Sequence, residues 1–252
     1  VCDRDGGRLL YFFFDYGTIG WDWEPIDSYS GVLLDGLDQP HDIHLGEDYI
    51  IVSEAGRLTR LNHSGPDTMW MDSVRNSEPW VLVEGVPTGN HQTNAINALA
   101  NGTLVWHVGS TCNICDELDE RNAALLWVDP DSGEHGVLAS GVRNSFDGVW
   151  LDGVGYLFSD NGRDWEGDHP PEEMNLLSEG ADYGWPDDDP DHPVPSGTVG
   201  PIGTWTSHSS LNGLAVRPSD SSFPGGQFTV YGTVFGSWNS VTPVGHEIVR
   251  MD

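Results

Sequence analysis

Val83-Glu-Gly-Val86 decides the fold, because the same turn stands earlier as Leu34-Asp-Gly-Leu37 and later as Ala139-Ser-Gly-Val142. The three glycines, Gly36, Gly85 and Gly141, lie 49 and 56 residues apart, and each copy precedes a turn and then a strand. A more degenerate copy runs through Ser209-Ser-Leu-Asn-Gly-Leu-Ala-Val216. Roughly 40 to 50 residues per four-stranded unit is the period of propeller blades. Between the turns stand short alternating or apolar runs, which are strand signals: Tyr49-Ile-Ile-Val-Ser53, Thr103-Leu-Val-Trp-His107, Ala124-Leu-Leu-Trp-Val128, Gly155-Tyr-Leu-Phe-Ser159, Phe228-Thr-Val-Tyr231 and Glu247-Ile-Val-Arg250. The 32 Gly and 16 Pro break the chain too often for a long helical period. The expected fold is all-β, a propeller of four-stranded blades with four to five blades present. At most a turn or two of helix is expected, around Pro171 to Ser178.

Composition narrows the partners. The chain has 252 residues and 11 Trp, enough apolar material for a sizeable core. It carries 27 Asp and 13 Glu against 10 Arg and no Lys, a formal charge of −30. A nucleic acid needs a basic stripe that releases counterions, so it is not expected as a partner, and an anionic membrane surface is not expected on the same ground. The acids are spread from end to end, which reads as a solvated surface adapted to high salt, where a Debye length of ~3 Å lets such a surface stay folded. No window reaches the ~20 consecutive apolar residues of a membrane span. The chain opens on Val1 with no basic n-region, so a secretion signal is expected to have been removed or to lie outside this sequence.

The polar residues of interest gather in the turns: His41, Asn90-His91-Gln92, Arg143-Asn144 and Asp160-Asn161-Gly162-Arg163. In a propeller, loops at one end of the blades converge on the central channel, so residues distant in sequence can share one site.

Five segments carry a resemblance, in order. They are Asn90-His-Gln92 before a strand, Gly141-Val-Arg-Asn144, Asp160-Asn-Gly-Arg-Asp164 with Gly167-Asp-His-Pro-Pro-Glu-Glu-Met-Asn175, Tyr183-Gly-Trp-Pro186, and Phe235-Gly-Ser-Trp-Asn239. From about Gly31 to the C-terminus the chain resembles the quinoprotein glucose and sorbosone dehydrogenases, six-bladed propellers that oxidise sugars with pyrroloquinoline quinone and calcium. Residues 1–30 match no pattern and stay unassigned beside a propeller of residues 31–252. The resemblance implies oxidation of an aldose or a sorbosone-like aldehyde to the lactone or acid, by hydride transfer to the quinone. It implies an unidentified electron acceptor and an extracellular or periplasmic setting.

The resemblance also implies roles. His91 is the general base, and an imidazole titrating near pH 6 to 7 suits removal of a sugar hydroxyl proton. Arg143 stabilises the oxyanion that forms at the quinone carbonyl. Asn144, Gln92 and Arg163 join Arg143 in holding the cofactor. Carbonyls of Gly167 and Asp168 face the calcium that polarises the cofactor, although one branch of the family has Pro where Asp168 stands. Glu173 with Tyr183 sits at a second calcium. An oxygen-rich, irregular loop suits a cation that takes six to eight oxygens. His208 is read as facing the channel.

Cys112-Asn-Ile-Cys115 has the spacing of a redox or half-zinc motif, but no second pair completes a zinc site and Asp116 follows where haem attachment needs His. A small loop disulfide is favoured. The pair resembles one in the sorbosone-type branch and fits an oxidising compartment. Cys2 has no assigned role.

Two departures matter. The cofactor has three carboxylates, and the family answers some of them with late Lys and Arg residues, whereas this chain has no Lys and stops at Asp252. A fragment of a longer protein is therefore expected. The competing readings are a calcium-binding propeller without catalysis and a metal-dependent lactonase, the latter needing side-chain ligands clustered on the axis.

Overall fold

A computed structural model describes residues 1–16, 25–64, 69–164 and 170–252. It contains five antiparallel sheets in chain order. The first joins β1 (Cys2–Asp3), β2 (Arg8–Tyr16) and β3 (Pro25–Asp35); the second β4 (Asp42–Leu45), β5 (Tyr49–Glu54), β6 (Arg57–Asn62) and β7 (Trp80–Val83). The third joins β8 (Thr93–Ala98), β9 (Leu104–Val108), β10 (Ala124–Val128) and β11 (His135–Ser140); the fourth β12 (Gly148–Leu151), β13 (Gly155–Asp160), β14 (Glu172–Leu176) and β15 (Gly203–Trp205). The fifth holds β16 (Leu211–Val216), β17 (Val230–Val234) and β18 (Glu247–Met251). Each sheet is a meander whose neighbours in sequence are neighbours in space, and inner strands β4, β8, β12 and β16 pack side by side around the channel. The fold is an all-β propeller with five blades.

The continuous apolar runs read as strands because a blade is covered on both faces. All five residues of β9 are buried. Leu104, Trp106 and Val108 pack toward the second sheet with Ile51, Leu58 and Leu82, while Val105 packs toward the fourth with Tyr156 and Phe158. Successive side chains thus feed two different inter-blade cores. Trp106 is fully buried and satisfies its indole N–H on Ser53 Oγ at 2.9 Å.

The repeated turn is built as its glycines suggest. Gly36, Gly85 and Gly141 have φ of 77°, 69° and 69°, left-handed backbone that glycine adopts without steric cost. They follow the outer strands β3, β7 and β11, where the chain turns toward the next blade's inner strand. A second repeat escaped the sequence reading. The pairing of β8 with β9 slips between Thr93 and Ile96, and that of β16 with β17 slips between Leu211 and Leu214. At each slip an acid beside an inner strand of a preceding blade takes up an N–H: Asp42 Oδ2 accepts from Ile96 N at 2.9 Å, and Asp147 Oδ2 from Leu214 N at 2.8 Å. Both acids stand six residues after a repeat glycine.

The helix expected around Pro171 to Ser178 is strand instead. In β14, which pairs with β13 and β15, Glu172 and Met174 are buried while Glu173 is less so, the alternation of a strand. The one helix among the described residues is α1 (Met69–Arg75). No described helix is long and apolar enough to cross a membrane.

Candidate active site

One wide cavity of about 580 Å³ opens at the end of the channel where the inter-blade turns converge. His91, Gln92, Arg143, Asn144 and Asn161 line it, and so do His208, Phe235 and Trp238. Four of the expected site residues, separated by up to 53 positions, are therefore brought together, as is His208.

His91 is oriented through a short relay. The Ser110 hydroxyl donates to Cys112 O at 2.8 Å, so its oxygen receives the proton of His91 Nδ1 at 2.7 Å. Nε2 then carries the lone pair. Burial, helped by the Arg143 charge, pushes the imidazole pKa down to about 3. This replaces the expected titration near pH 6 to 7: desolvation penalises the imidazolium, so His91 stays neutral across the ordinary range.

Arg143 is almost fully buried. Its Nε donates to Asn113 O at 3.2 Å, Nη1 to Asn161 O at 3.1 Å and Nη2 to Asn113 Oδ1 at 2.7 Å. Asp164 Oδ2 lies 3.4 Å from Nη2, and Asp164 Oδ1 accepts from Trp238 Nε1 at 3.0 Å. The backbone N–H groups of Arg143 and Asn144 both point at Asp160, at 2.9 and 2.6 Å. Asn144 Oδ1 accepts from Asn94 Nδ2 at 3.2 Å, and Asn94 in turn accepts from Gln92 at 2.9 Å.

Arg163 does not line this cavity. Its Nη2 donates to Pro186 O at 2.9 Å and to Asp188 Oδ1 at 3.1 Å, so it ties the turn after β13 to the loop after Tyr183. The cavity's second cation is instead Arg4, whose Nη2 bonds Gln39 Oε1 at 3.1 Å. Arg4 lies in the stretch that carried no motif. Its only signal was the scarcity of Arg.

Sharing Arg143, Asn161 and Gly162 with the wide cavity, a second and far smaller one of about 20 Å³ is lined also by Asp160, Glu173, Asp188 and Tyr183. That is room for about one water-sized species. Burial raises the pKa of Asp160, and Glu173 is pushed up to about 7, by burial first and then by Asp188 and Glu172. Asn161 Oδ1 has no hydrogen-bond partner. The Tyr183 hydroxyl donates to Leu176 O at 2.6 Å, which leaves the backbone carbonyl as what Tyr183 can offer a cation. Gly167 and Asp168 lie outside the described residues. Cys112 and Cys115 are joined in a disulfide. Together with Glu117 they form the one close grouping of three potential metal ligands among the described residues, so the axial side-chain cluster of a lactonase is not found among them.

Inner strands that converge on a polar chamber, with a buried Arg and a neutral His at its wall, place the candidate site at one end of the propeller channel. Solved structures share the fold. The pyrroloquinoline quinone domain of pyranose dehydrogenase from Coprinopsis cinerea, in its holo form, aligns with 98% of this chain and 71% of its own, at a TM-score of 0.76 and 18% identity. A calcium structure of the carbohydrate-active enzyme family AA12 from Trichoderma reesei covers 98% and 73%, at 0.75 and 16%. The quinone-bound aldose sugar dehydrogenase of Streptomyces coelicolor covers 84% and 66%, at 0.62 and 19%. No protein-family model matches the chain, and no curated protein sequence does.

Proposed function

We propose that this chain is the propeller of a quinoprotein dehydrogenase that oxidises an aldose, or a sorbosone-like aldehyde, to its lactone or acid. The observation that carries the reading is the wide cavity, which holds a neutral His91 with a bare Nε2 beside two arginines, Arg4 and Arg143, in a chain of charge −30. Two of the chain's ten arginines stand at this chamber, against Asp164 and Glu172, and so local a share of its scarce positive charge suits an anionic ligand. Pyrroloquinoline quinone is such a ligand, and when bound it supplies a two-electron acceptor.

The residues divide the work. His91 Nε2 accepts the proton of the sugar hydroxyl at the carbon being oxidised, and Ser110 holds the tautomer that makes this possible. Arg143 presents a fixed positive charge where negative charge develops on oxygen, and its buried hydrogen bonds keep it from reorganising. Asn144 and Gln92 supply amide contacts to the cofactor, and Arg4 a counter-charge for a carboxylate. Phe235 and Trp238, both exposed at the cavity, offer apolar faces to a sugar ring. Glu173, with the Tyr183 carbonyl, suits a calcium ion at the smaller cavity, where burial pushes its carboxyl pKa up to about 7. Carbonyls of Gly167 and Asp168 are proposed for the calcium at the cofactor. Electrons leave to an acceptor of unknown identity, and the acidic surface suits a secreted protein in salt.

The test is a titration of the purified protein with pyrroloquinoline quinone and calcium chloride in high salt, followed by a panel of aldoses with a dye acceptor. Sugar-dependent reduction that His91→Ala abolishes is the expected result. Calcium binding without quinone binding would instead favour a non-catalytic calcium-binding propeller.

A further inference from the structure

We propose that Asn113, presented by the Cys112–Cys115 disulfide loop, is the positioning residue of this site, fixing Arg143 directly while the same loop fixes His91 through Ser110. The inference rests on the proposed reading of His91 and Arg143 as working residues. It concerns what holds them in place.

The loop is short. Cys112 and Cys115 are three residues apart with Cα atoms at 6.1 Å, so the bridge closes a single turn around Asn113 and Ile114. Asn113 uses nearly all of its polar atoms on the site. Its carbonyl accepts from Arg143 Nε at 3.2 Å and from Trp185 Nε1 at 3.1 Å. Its side-chain oxygen accepts from Arg143 Nη2 at 2.7 Å and from Asp164 N at 2.9 Å, while its Nδ2 donates to Asp164 O at 3.4 Å. One residue therefore grips two nitrogens of the guanidinium with a main-chain and a side-chain oxygen, a geometry that holds only if backbone and rotamer are both fixed.

The preceding residue serves the other partner. Cys112 O accepts the Ser110 hydroxyl proton at 2.8 Å, and that bond turns Ser110 Oγ into the acceptor for His91 Nδ1 at 2.7 Å. Ser110 N also donates to Arg143 O at 2.8 Å. Glu117 closes the loop from its other side, accepting Thr111 N at 2.6 Å and Thr111 Oγ1 at 2.7 Å. Two adjacent carbonyls, of Cys112 and Asn113, thus set the tautomer of the base and the plane of the cation. A bridge across so few residues restricts the unfolded chain little, since loop-closure entropy grows with loop length. Its consequence lies in the placing of these two carbonyls. Displacement by about 1 Å of a positioned group is enough to cost on the order of 10²-fold in rate.

Three variants separate this from a merely structural loop: Asn113→Ala, Asn113→Asp, and the double variant Cys112→Ser/Cys115→Ser. Turnover is measured on the quinone- and calcium-loaded protein, and nitrogen NMR of the imidazoles and guanidinium groups on the ligand-free protein. Asn113→Ala is expected to lower kcat about 10- to 100-fold at little-changed sugar KM. It should broaden the Arg143 side-chain signal and leave the His91 tautomer intact. Asn113→Asp, which keeps an acceptor for Arg143 and for Asp164 N, should recover most of the loss. The double variant should remain folded and lose both the Arg143 signal and the single Nδ1-protonated form of His91. A folded double variant whose His91 tautomer and Arg143 signal match the parent overturns the proposal, as does Asn113→Ala with parental kcat. If the double variant does not fold, the Asn113 pair decides, with the disulfide intact. If the parent neither binds quinone nor turns over, the function reading fails, and the ligand-free NMR still tests the positioning.

Discussion

The two cavities share a wall and differ in their balance of charge. The wide one is lined by Arg4 and Arg143 together with Asp164, Glu172 and a neutral imidazole; the small one by Asp160, Glu173 and Asp188 with Arg143. Arg143, Asn161 and Gly162 line both. Asp160 explains how one short segment separates them. Its carboxylate receives the backbone N–H groups of Arg143 and Asn144, which anchors the turn on the acidic side while the guanidinium extends among Asn113, Asn161 and Asp164. The lesson is that the charge balance shifts from two arginines against two acids in the wide cavity to one arginine against three in the small one, which favours a cation in the latter.

Breaking the wide-cavity half of that comparison has the largest expected effect. Arg143→Ala should lower quinone-dependent kcat about 10²- to 10³-fold, the loss seen when one preorganised donor is removed from a developing oxyanion. Arg143→Lys should recover little, because a point charge cannot reproduce the forked contacts to Asn113 and Asn161. Steady-state kinetics with a saturating sugar check both.

The small-cavity half predicts a stability effect. Calcium at a hundredfold excess over its Kd should stabilise the protein by about 2.7 kcal/mol, or about 5–10 °C in Tm, and Glu173→Gln should remove that increment. The sign with pH follows from burial. The folded-state pKa of Glu173 is raised to about 7, above its ordinary 4.5, so the folded state favours the protonated carboxyl. The calcium-free protein should lose stability as pH rises from about 4.5 through 7, and Glu173→Gln should flatten that slope. Thermal melts across pH, with and without calcium, would show it.

The smallest effect tests the shared wall. In the ligand-free protein His91 should stay neutral down to about pH 4, since burial and Arg143 hold its pKa near 3. Arg143→Ala should raise that pKa part of the way, because burial, the larger cause, remains. An imidazole titration by NMR that finds no change would detach His91 from Arg143.

Much of the fold was legible. The recurring Gly at 36, 85 and 141 marked real left-handed turns, and runs such as Ala124–Val128 were strands because both blade faces are covered. The stretch after Pro171 misled, since Glu-Glu-Met-Asn-Leu carries helix-favouring residues whose alternate burial only neighbouring strands reveal. At the site, His91, Arg143 and Asn144 stood in recognisable turns. Arg4 did not, because its place at the cavity depends on the first sheet lying beside the channel, a long-range fact with no local pattern. Asn113 was hidden for another reason: the cysteines around it drew the reading toward redox chemistry, whereas its role comes from two oxygens. Arg163, read as a cofactor contact, is tethered in the structure to Pro186 O and Asp188.

The acids Asp42 and Asp147 give the propeller a grammar of dependence between blades. Each sits at the entrance of one inner strand and completes a slipped N–H in an inner strand further along the chain, Ile96 or Leu214. Each irregular inner strand is thus matched by a blade that carries its acid. The heritable module of this architecture is then out of phase with the visible blade: it starts at an acid in one and ends at the kink in the next. Grafts cut at the sheet boundaries would strand one half of each bond, whereas cuts midway through a blade would carry the pair intact.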